Sequence, residues 1–373
     1  MSAGDDERFM AMALALAERG LGNVWPNPTV GCVLVRDGRV VGRGWTQPGG
    51  RPHAESEAVA RAGAAARGST AYVTLEPCAH HGLTPPCVEL MMAAGVARCV
   101  VATQDPDPRV NGRGLARLRA AGVEVGLGCL EAEARRLNAG FLRRIRQGRP
   151  EVALKLATSQ DGRIATAAGD SQWITGAAAR AEGHRLRLRH DAILVGSGTA
   201  LADDPLLTCR LPGLAQRSPV RVVVDRRLRL RPDSQLARSA GEPPVWLLTA
   251  RPHDPRAAAL TALGVLVLPL PEAEIETGIK AGPERVLAAL AARGITRVLV
   301  EGGAGIAGAF LRERLVDRLY WFEAPVLLGA EGLPGVGPLG LARLRDAPRW
   351  RCVEERRLGA DRLSVLEPAD PAS

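Results

Sequence analysis

His53, Glu55, Cys78 and Cys87 are the residues of this chain best equipped for chemistry. They occur as His53-Ala54-Glu55, then Pro77-Cys78, then a second cysteine at Cys87. One imidazole and two thiolates make three N/S ligands, the number a catalytic zinc site commonly takes while leaving its fourth position to water. Glu55 is then not needed as a ligand and can serve as general acid/base, the combination used by zinc deaminases acting on nucleobases. Zinc brings the pKa of its water toward ~7. Glu55 takes the water's proton and returns it to the ring nitrogen and the departing ammonia. These residues imply a hydrolytic deaminase.

The elements that must position them are legible nearby. Pro85-Pro86-Cys87 reads as a helix start, where proline is allowed because its missing N–H would be unbonded anyway. Cys87 is thus expected at the positive end of a helix, with its thiolate favoured and its pKa lowered. His53 opens a second helical run over 54–61, and a β-type run over 72–75 ends beside Glu76-Pro77-Cys78. Two helix starts facing one strand end bring the three ligands together. A lone cysteine is usually a small buried hydrophobe, so it is the combination that carries weight. His80 and His81 lie between the cysteines and compete for the ligand places. His80 is expected to stand behind the ligands or face the substrate, and His81 to be exposed.

At 373 residues the chain is too long for one typical core. Apolar residues make up 46% but aromatics only 3%, so Leu, Val and Ala must fill the interior. Seven scattered cysteines form no disulfide framework and suit a reducing cytosol. The acidic opening Asp5-Asp6-Glu7 is unlike a secretory leader, and no apolar run approaches the roughly 20 residues of a membrane span. A cytoplasmic protein with no membrane partner is expected. The net charge of +9 could suggest nucleic acid. However, the arginines are spread along helices rather than interleaved with aromatics into a stacking platform. The one dense cluster, Arg143-Arg144-Ile145-Arg146, falls where a domain junction is expected, and a phosphorylated small substrate explains a basic pocket equally well.

The organisation is α/β throughout. A helix over 5–19, a hairpin around Arg36-Asp37-Gly38, and alternating helices and strands to residue 125 predict a layered sheet, mostly parallel after its first hairpin. The pattern restarts near Gln147-Gly148-Arg149-Pro150. Continuous apolar strands are then expected at 152–157, 192–195, 220–224, 245–249, 265–268, 297–301 and 318–322. The tail 367–373 is expected to be unstructured. The chain therefore divides into domains at 1–147 and 151–367.

Two features of the second half suggest chemistry. Glu301-Gly302-Gly303-Ala304-Gly305 runs from a strand into a helix, and bare N–H groups at such a helix start attract anions. It is not a dinucleotide fingerprint of the usual spacing. Lys155 is one of only two lysines, with Lys280, among 49 basic residues. A lysine in a buried strand of an arginine-rich protein suits a compact ammonium touching a sugar hydroxyl or phosphate. The alternative is a stem that snorkels along the sheet to water.

Taken together these motifs closely resemble the bacterial bifunctional riboflavin-biosynthesis enzymes, a pyrimidine deaminase fused to a pyrimidine reductase. On the deaminase side the resemblance rests on Pro26-Asn27-Pro28-Thr29-Val30-Gly31, His53-Ala54-Glu55, Glu76-Pro77-Cys78-Ala79-His80, Pro85-Pro86-Cys87 and Asp105-Pro106-Asp107-Pro108-Arg109. On the reductase side it rests on Lys155-Leu156-Ala157, Ser171-Gln172-Trp173, Gly198-Thr199, Asp203-Asp204-Pro205-Leu206-Leu207, Arg210 and Glu301-Gly302-Gly303. The resemblance implies a cytidine-deaminase-like three-layer α/β/α domain followed by a dihydrofolate-reductase-like α/β domain. It implies Zn2+ held by His53, Cys78 and Cys87, catalysis by Glu55 and Lys155, and NADPH contacted by Ala157, Trp173, Thr199, Asp203, Gly303, Ala304 and Gly305. Substrate would be held by Asn27, His80 and Asp105 in the first domain and by Ser171, Arg187, Leu207, Arg210 and Glu301 in the second. Arg187 and Arg210 suit phosphate oxygens through their planar forks, and Asn27 offers both a donor and an acceptor to a pyrimidine edge. The implied partners are phosphoribosylaminopyrimidines, with the protein assembled as a homo-oligomer.

Two positions depart from the family pattern. Leu83 stands where Lys or Arg is usual, and Thr46 where a histidine is expected. Both are expected to help seat the substrate, so deamination is expected to be slowed or altered with metal binding intact. Arg51, Arg43 and Arg109 are candidates to compensate. Arg226, just after a strand, is a candidate contact for a 2′-phosphate. Two other readings compete: an RNA or free-nucleobase deaminase with an attached binding domain, and a regulatory RNA-binding relative with dead sites. The first usually carries its cysteines as Pro-Cys-x-x-Cys, and intact site residues in both halves argue against the second.

Overall fold

The computed structural model describes residues 3–82, 84–270 and 282–369. Leu83 and Lys280 lie outside the described residues. The chain forms two compact units, Met1–Gly148 and Arg149–Ser373.

The N-terminal unit runs α1 (Ala3–Ala17), β1 (Gly31–Arg36), β2 (Arg39–Trp45), α2 (Ala54–Ala62), β3 (Thr70–Val73), α3 (Cys87–Ala93), β4 (Arg98–Val101), α4 (Arg113–Ala120), β5 (Glu124–Leu127), α5 (Glu131–Leu137) and α6 (Ala139–Gln147). Its sheet has the order β2-β1-β3-β4-β5. The strand β1 is antiparallel to both β2 and β3, and the rest is parallel. The period-2 alternation of strands sorts the core onto two faces. Cys32, Leu34, Val73, Cys99 and Val101 meet α2, α3, α4 and α6 on one face. Val33, Val35, Tyr72 and Val100 meet Phe9, Met10 and Ala13 of α1 and Ala134 of α5 on the other. That is the three-layer arrangement implied by the motifs. Close seating of α2 depends on two glycines of β2. A Cβ at Gly42 would lie 2.2 Å from the Ala58 carbonyl oxygen, and one at Gly44 would lie 2.3 Å from that of Ala54.

The C-terminal unit runs β6 (Glu151–Ser159), β7 (Arg163–Ala165), α7 (Ala177–Leu188), β8 (Ala192–Gly196), α8 (Ser197–Asp203), β9 (Val220–Val224), α9 (Gln235–Arg238), β10 (Val245–Thr249), α10 (Pro255–Ala262), β11 (Leu266–Pro269), α11 (Pro283–Ala292), β12 (Arg297–Glu301), α12 (Ala304–Arg312), β13 (Arg318–Ala324), β14 (Leu333–Pro334), β15 (Trp350–Leu358) and β16 (Asp361–Pro368). Nine strands form one sheet in the order β11-β10-β9-β8-β12-β6-β13-β16-β15. Strands β11 through β13 of that order pair in parallel, and β16 and β15 are antiparallel additions. The apolar runs of the sequence are these central parallel strands, covered on both faces. β7 and β14 form a separate small pair.

The structure corrects the reading of the tail. Glu367 and Pro368 belong to β16, where Leu366 faces Leu319 and Arg318 reaches Glu367 Oε1 at 2.5 Å. Residues 370–373 lie outside the described residues. The β15–β16 hairpin escaped the sequence because β15, Trp-Arg-Cys-Val-Glu-Glu-Arg-Arg-Leu, is an exposed edge strand with charges on it, as edges often are.

Candidate active sites

In the N-terminal unit the expected ligands converge. His53 is the extended N-cap residue of α2, Cys87 is the first residue of α3, and Cys78 lies in the loop after β3. Their ligand atoms all lie within 4.8 Å of one another. His53 Nδ1 is 3.7 Å from Cys78 Sγ and 3.3 Å from Cys87 Sγ. A tetrahedral ion bonded at the usual Zn–S and Zn–N lengths separates N from S by about 3.5 Å. The donor set and its spacing therefore fit zinc. Glu55, one residue into α2 beyond Ala54, is buried, and burial pushes its carboxyl pKa up.

The thiol chemistry differs from expectation in one respect. Cys78, not Cys87, has the depressed pKa, about 4, through the hydrogen bond from the Cys87 thiol and then through His53. Cys87 is pushed up by the Cys78 charge and by burial. The positive helix start does act, but across the gap: the Cys87 backbone N–H donates to Cys78 Sγ at 3.3 Å. Two thiols this close share a single charge until a cation draws off the second proton.

A cavity of about 300 Å³ opens on this cluster. Asn27, His80 and Asp105 all line it, as do Thr46 and Arg51. The Asn27 amide donates to the Gly50 carbonyl at 2.8 Å, which orients it. His80 Nδ1 is buried and lacks a hydrogen-bond partner among the described residues, so a ligand can supply one. His81 is exposed, 3.5 Å from Glu89. Asp105 has its pKa raised to about 7, chiefly by burial. Thr46, the departure from the family histidine, is a structural residue here. It accepts from the Val30 N–H at 2.9 Å and donates to the Pro28 carbonyl, tying down the Asn27 loop. Of the three arginines expected to compensate, Arg51 and Arg109 line the cavity, whereas Arg43 does not.

Two residues here had no role in the sequence reading. Glu76 accepts four backbone N–H bonds, from Asp105, Gly112, Gly114 and Leu115, and so shapes the loop that carries Asp105 onto the start of α4. A carboxylate suits that position because the helix start is positive. Arg144, from the basic cluster taken for a domain junction, lines the cavity with Phe141 and Ile145 of the same helix. Their spacing of i, i+3 and i+4 was the available signal.

The C-terminal unit builds its site on strands. Lys155 of β6 pairs in register with Glu301 of β12 and with Tyr320 of β13. Its Nζ lies 5.8 Å from the centre of the Phe322 ring, and it lines a cavity instead of reaching along the sheet to bulk water. Burial lowers its pKa, opposed by the Glu301 charge. Glu301 is pushed up by burial but pulled further down by Arg187, to about 2. Arg187, expected to hold substrate, is itself engaged in an ion pair at the cavity wall. Its Nε and Nη2 close on the two Glu301 oxygens at 2.8 and 2.9 Å, and Nη1 donates to the Thr208 carbonyl. Arg210 is exposed, with its Nε 3.2 Å from His184 Nε2.

Two adjoining cavities share this cluster. One, about 230 Å³, is lined by Ser171, Trp173, His184, Arg187, Arg210 and Glu301. The other, about 610 Å³, contains Ala157, Thr199, Asp203, Gly303, Ala304 and Gly305 together with Leu207. Trp173, 62% exposed, lines the smaller cavity, which it shares with Ala157, whereas Thr199, Asp203 and the Gly303–Gly305 turn line only the larger one. Leu207, expected to touch substrate, lines the larger groove instead. Gly302 adopts φ 153°, and a Cβ there would lie 3.1 Å from Thr199 Oγ1. The Gly303 N–H donates to that same hydroxyl, so the start of α12 is held against α8. A groove of this size with a glycine-lined helix start fits an extended dinucleotide phosphate. Arg226 lies on an exposed turn and does not line the groove.

Comparison with known proteins covers both units. Residues 3–103 match the cytidine and deoxycytidylate deaminase zinc-binding region, and residues 150–363 match the RibD C-terminal domain. The riboflavin biosynthesis protein RibD of Escherichia coli (strain K12) is 43% identical over 367 residues, covering 95% of this chain and 97% of that protein. The solved structure of Acinetobacter baumannii RibD superposes with a TM-score of 0.88 at 38% identity, over 99% of this chain and 100% of that one. A diaminohydroxyphosphoribosylaminopyrimidine deaminase/5-amino-6-(5-phosphoribosylamino)uracil reductase from Thermotoga maritima gives 0.85 at 35% identity, with the same coverage. A deaminase with an unrelated binding domain is therefore set aside.

Proposed function

This chain belongs to the RibD family, with a deaminase domain and a reductase domain in one polypeptide, and from that premise we propose that it performs two successive steps of riboflavin biosynthesis. Residues 1–147 remove the ring 2-amino group of 2,5-diamino-6-(5-phosphoribosylamino)pyrimidin-4-one by hydrolysis. Residues 151–367 then reduce the ribosyl group of 5-amino-6-(5-phosphoribosylamino)uracil to the ribityl chain with NADPH. The observation that carries the reading is that each unit holds its own complete donor set at its own cavity. One is His53, Cys78 and Cys87 beside Glu55, and the other is Lys155 and Glu301 beside the glycine-lined groove.

In the deaminase, His53, Cys78 and Cys87 would hold zinc, which would supply Lewis acidity and a water of lowered pKa. Glu55 accepts a proton from the attacking water and delivers it to the ring nitrogen and then to the leaving ammonia. Burial raises its carboxyl pKa, which favours the protonated form it must hold between taking the proton and giving it up. Asn27, His80 and Asp105 orient the pyrimidine against that carboxylate.

In the reductase, Ala157, Thr199, Asp203 and the Gly303–Gly305 turn would hold NADPH, which would supply the hydride. Lys155 donates to the sugar oxygen as it gains charge. The anionic Glu301 keeps the Lys155 ammonium charged in its buried place, and Arg187 holds Glu301 in position. Ser171, Trp173 and Arg210 line the substrate end.

Mass-resolved turnover of the diaminopyrimidine substrate tests the reading. Without NADPH the product should be heavier only by the exchange of NH for O. With NADPH it should also gain two hydrogens. No ammonia release and no NADPH oxidation by zinc-replete protein would end the case.

A further inference from the structure

The smaller cavity of the C-terminal unit treats two of its guanidiniums in opposite ways. Arg187 is matched by an anion, since Glu301 takes its Nε and Nη2 and the Thr208 carbonyl takes its Nη1. Arg210 pairs with no carboxylate among the described residues; its partner is the ring of His184. The Arg210 backbone N–H lies 3.3 Å from His184 Nδ1, and the Arg210 Nε lies 3.2 Å from His184 Nε2. The preceding residue adds a third tie, from the Cys209 thiol to the His184 carbonyl at 3.6 Å. His184 and Arg187 are three residues apart on α7, and both line the cavity with Arg210.

An uncharged imidazole carries one N–H and one lone pair. Because its two nitrogens face two donors of the same residue, either neutral tautomer accepts from Arg210, whereas the imidazolium would accept from neither. The ring is kept neutral. Burial and the charges of Arg187 and Arg210 push its pKa down to about 4, against the opposing pull of Glu301 and the Thr208 carbonyl. A carboxylate in this place would also aim Arg210, but it would cancel the charge and compete with an incoming anion. A neutral acceptor aims the guanidinium and leaves its charge for a ligand, and the planar fork then meets anionic oxygens in a fixed direction. One ring grips both the root of Arg210 and its Nε, so the side chain cannot swing freely between them.

We propose that His184 is a positioning residue of the reductase, holding Arg210 with its charge unmatched at the substrate end and thereby setting the preference for a phosphorylated substrate. This rests on the reductase reading above. The test measures NADPH oxidation by the full chain on 5-amino-6-(5-phosphoribosylamino)uracil and on its dephosphorylated counterpart. His184→Phe keeps a ring but offers no acceptor, and His184→Gln restores an acceptor. His184→Phe should lower the ratio of kcat/KM for the two substrates by about tenfold, the lower end for a hydrogen bond to a charged group. The loss should lie in KM for the phosphorylated compound, and His184→Gln should recover most of it. In an Arg210→Ala background His184→Phe should add no further loss, because the group it positions is gone. His184→Ala repeats the comparison should the phenyl ring not fit, with thermal unfolding as the check on folding. An unchanged ratio, equal loss on both substrates, a loss confined to kcat, full additivity with Arg210→Ala, or a wild type indifferent to phosphate would overturn the proposal while leaving the reductase intact. A wild type that oxidises NADPH on neither compound would remove the functional reading and this inference together.

Discussion

In the N-terminal unit every metal-binding atom hangs from a helix start or a loop, whereas in the C-terminal unit Lys155 and Glu301 stand on neighbouring strands in register. The first cluster is electrically unfinished: two thiols share one charge beside an imidazole, and a cation completes it. The second is finished without any addition, because Lys155, Arg187 and Glu301 neutralise one another in part and the sheet ladder fixes their spacing. One site should therefore depend on its ligand for geometry, and the other on the sheet.

The comparison can be broken most severely at Cys87. Cys87→Ala should abolish zinc binding, read by metal analysis, and take deamination to background, while NADPH-dependent reduction continues at the wild-type rate. Equal loss of both activities would mean that the two sites are not independent. Glu55→Gln sharpens the picture within one unit. It should retain zinc and lose about 10²- to 10⁴-fold in deamination rate, the usual worth of a positioned general acid/base. Loss of metal would mean that Glu55 is structural.

Lys155→Ala is the matching change in the other unit. Reduction should fall by roughly 10²-fold, as for removal of one preorganised donor, with deamination and thermal stability of the N-terminal unit unaltered. The smallest effect concerns pH. Asp105 has a folded pKa near 7, well above its ordinary value, so its anion is disfavoured by the fold. The N-terminal unit therefore loses stability as pH rises from the ordinary carboxylate range through about 7. Deaminase KM should change over the upper end of the same window, where Asp105 passes from donor to anion. Asp105→Asn should flatten both profiles, as read by unfolding and kinetics across pH, and the reductase should show neither limb.

What could be read without coordinates was uneven for a physical reason. The zinc residues announced themselves because helix starts and strand ends are local events, marked by proline, histidine and cysteine within a few positions. The parallel strands of the second unit were equally plain, since strands buried on both faces need continuous apolar runs. The β15–β16 hairpin was missed because an exposed edge strand carries charge and resembles a loop. Arg144 was missed because its cluster sat where the chain passes between units, and only the orientation of α6 turns one of its arginines into the cavity.

Residue type and local spacing pointed to the His53–Cys78–Cys87 cluster and to two α/β units, because each depends on interactions within a turn or strand. Tertiary structure alone decided which thiol carries the charge, that Arg187 closes on Glu301, and that Thr46 ties a loop. Those outcomes join groups up to 114 residues apart along the chain. Such partners are chosen by sheet register and helix packing, which no short window of sequence contains.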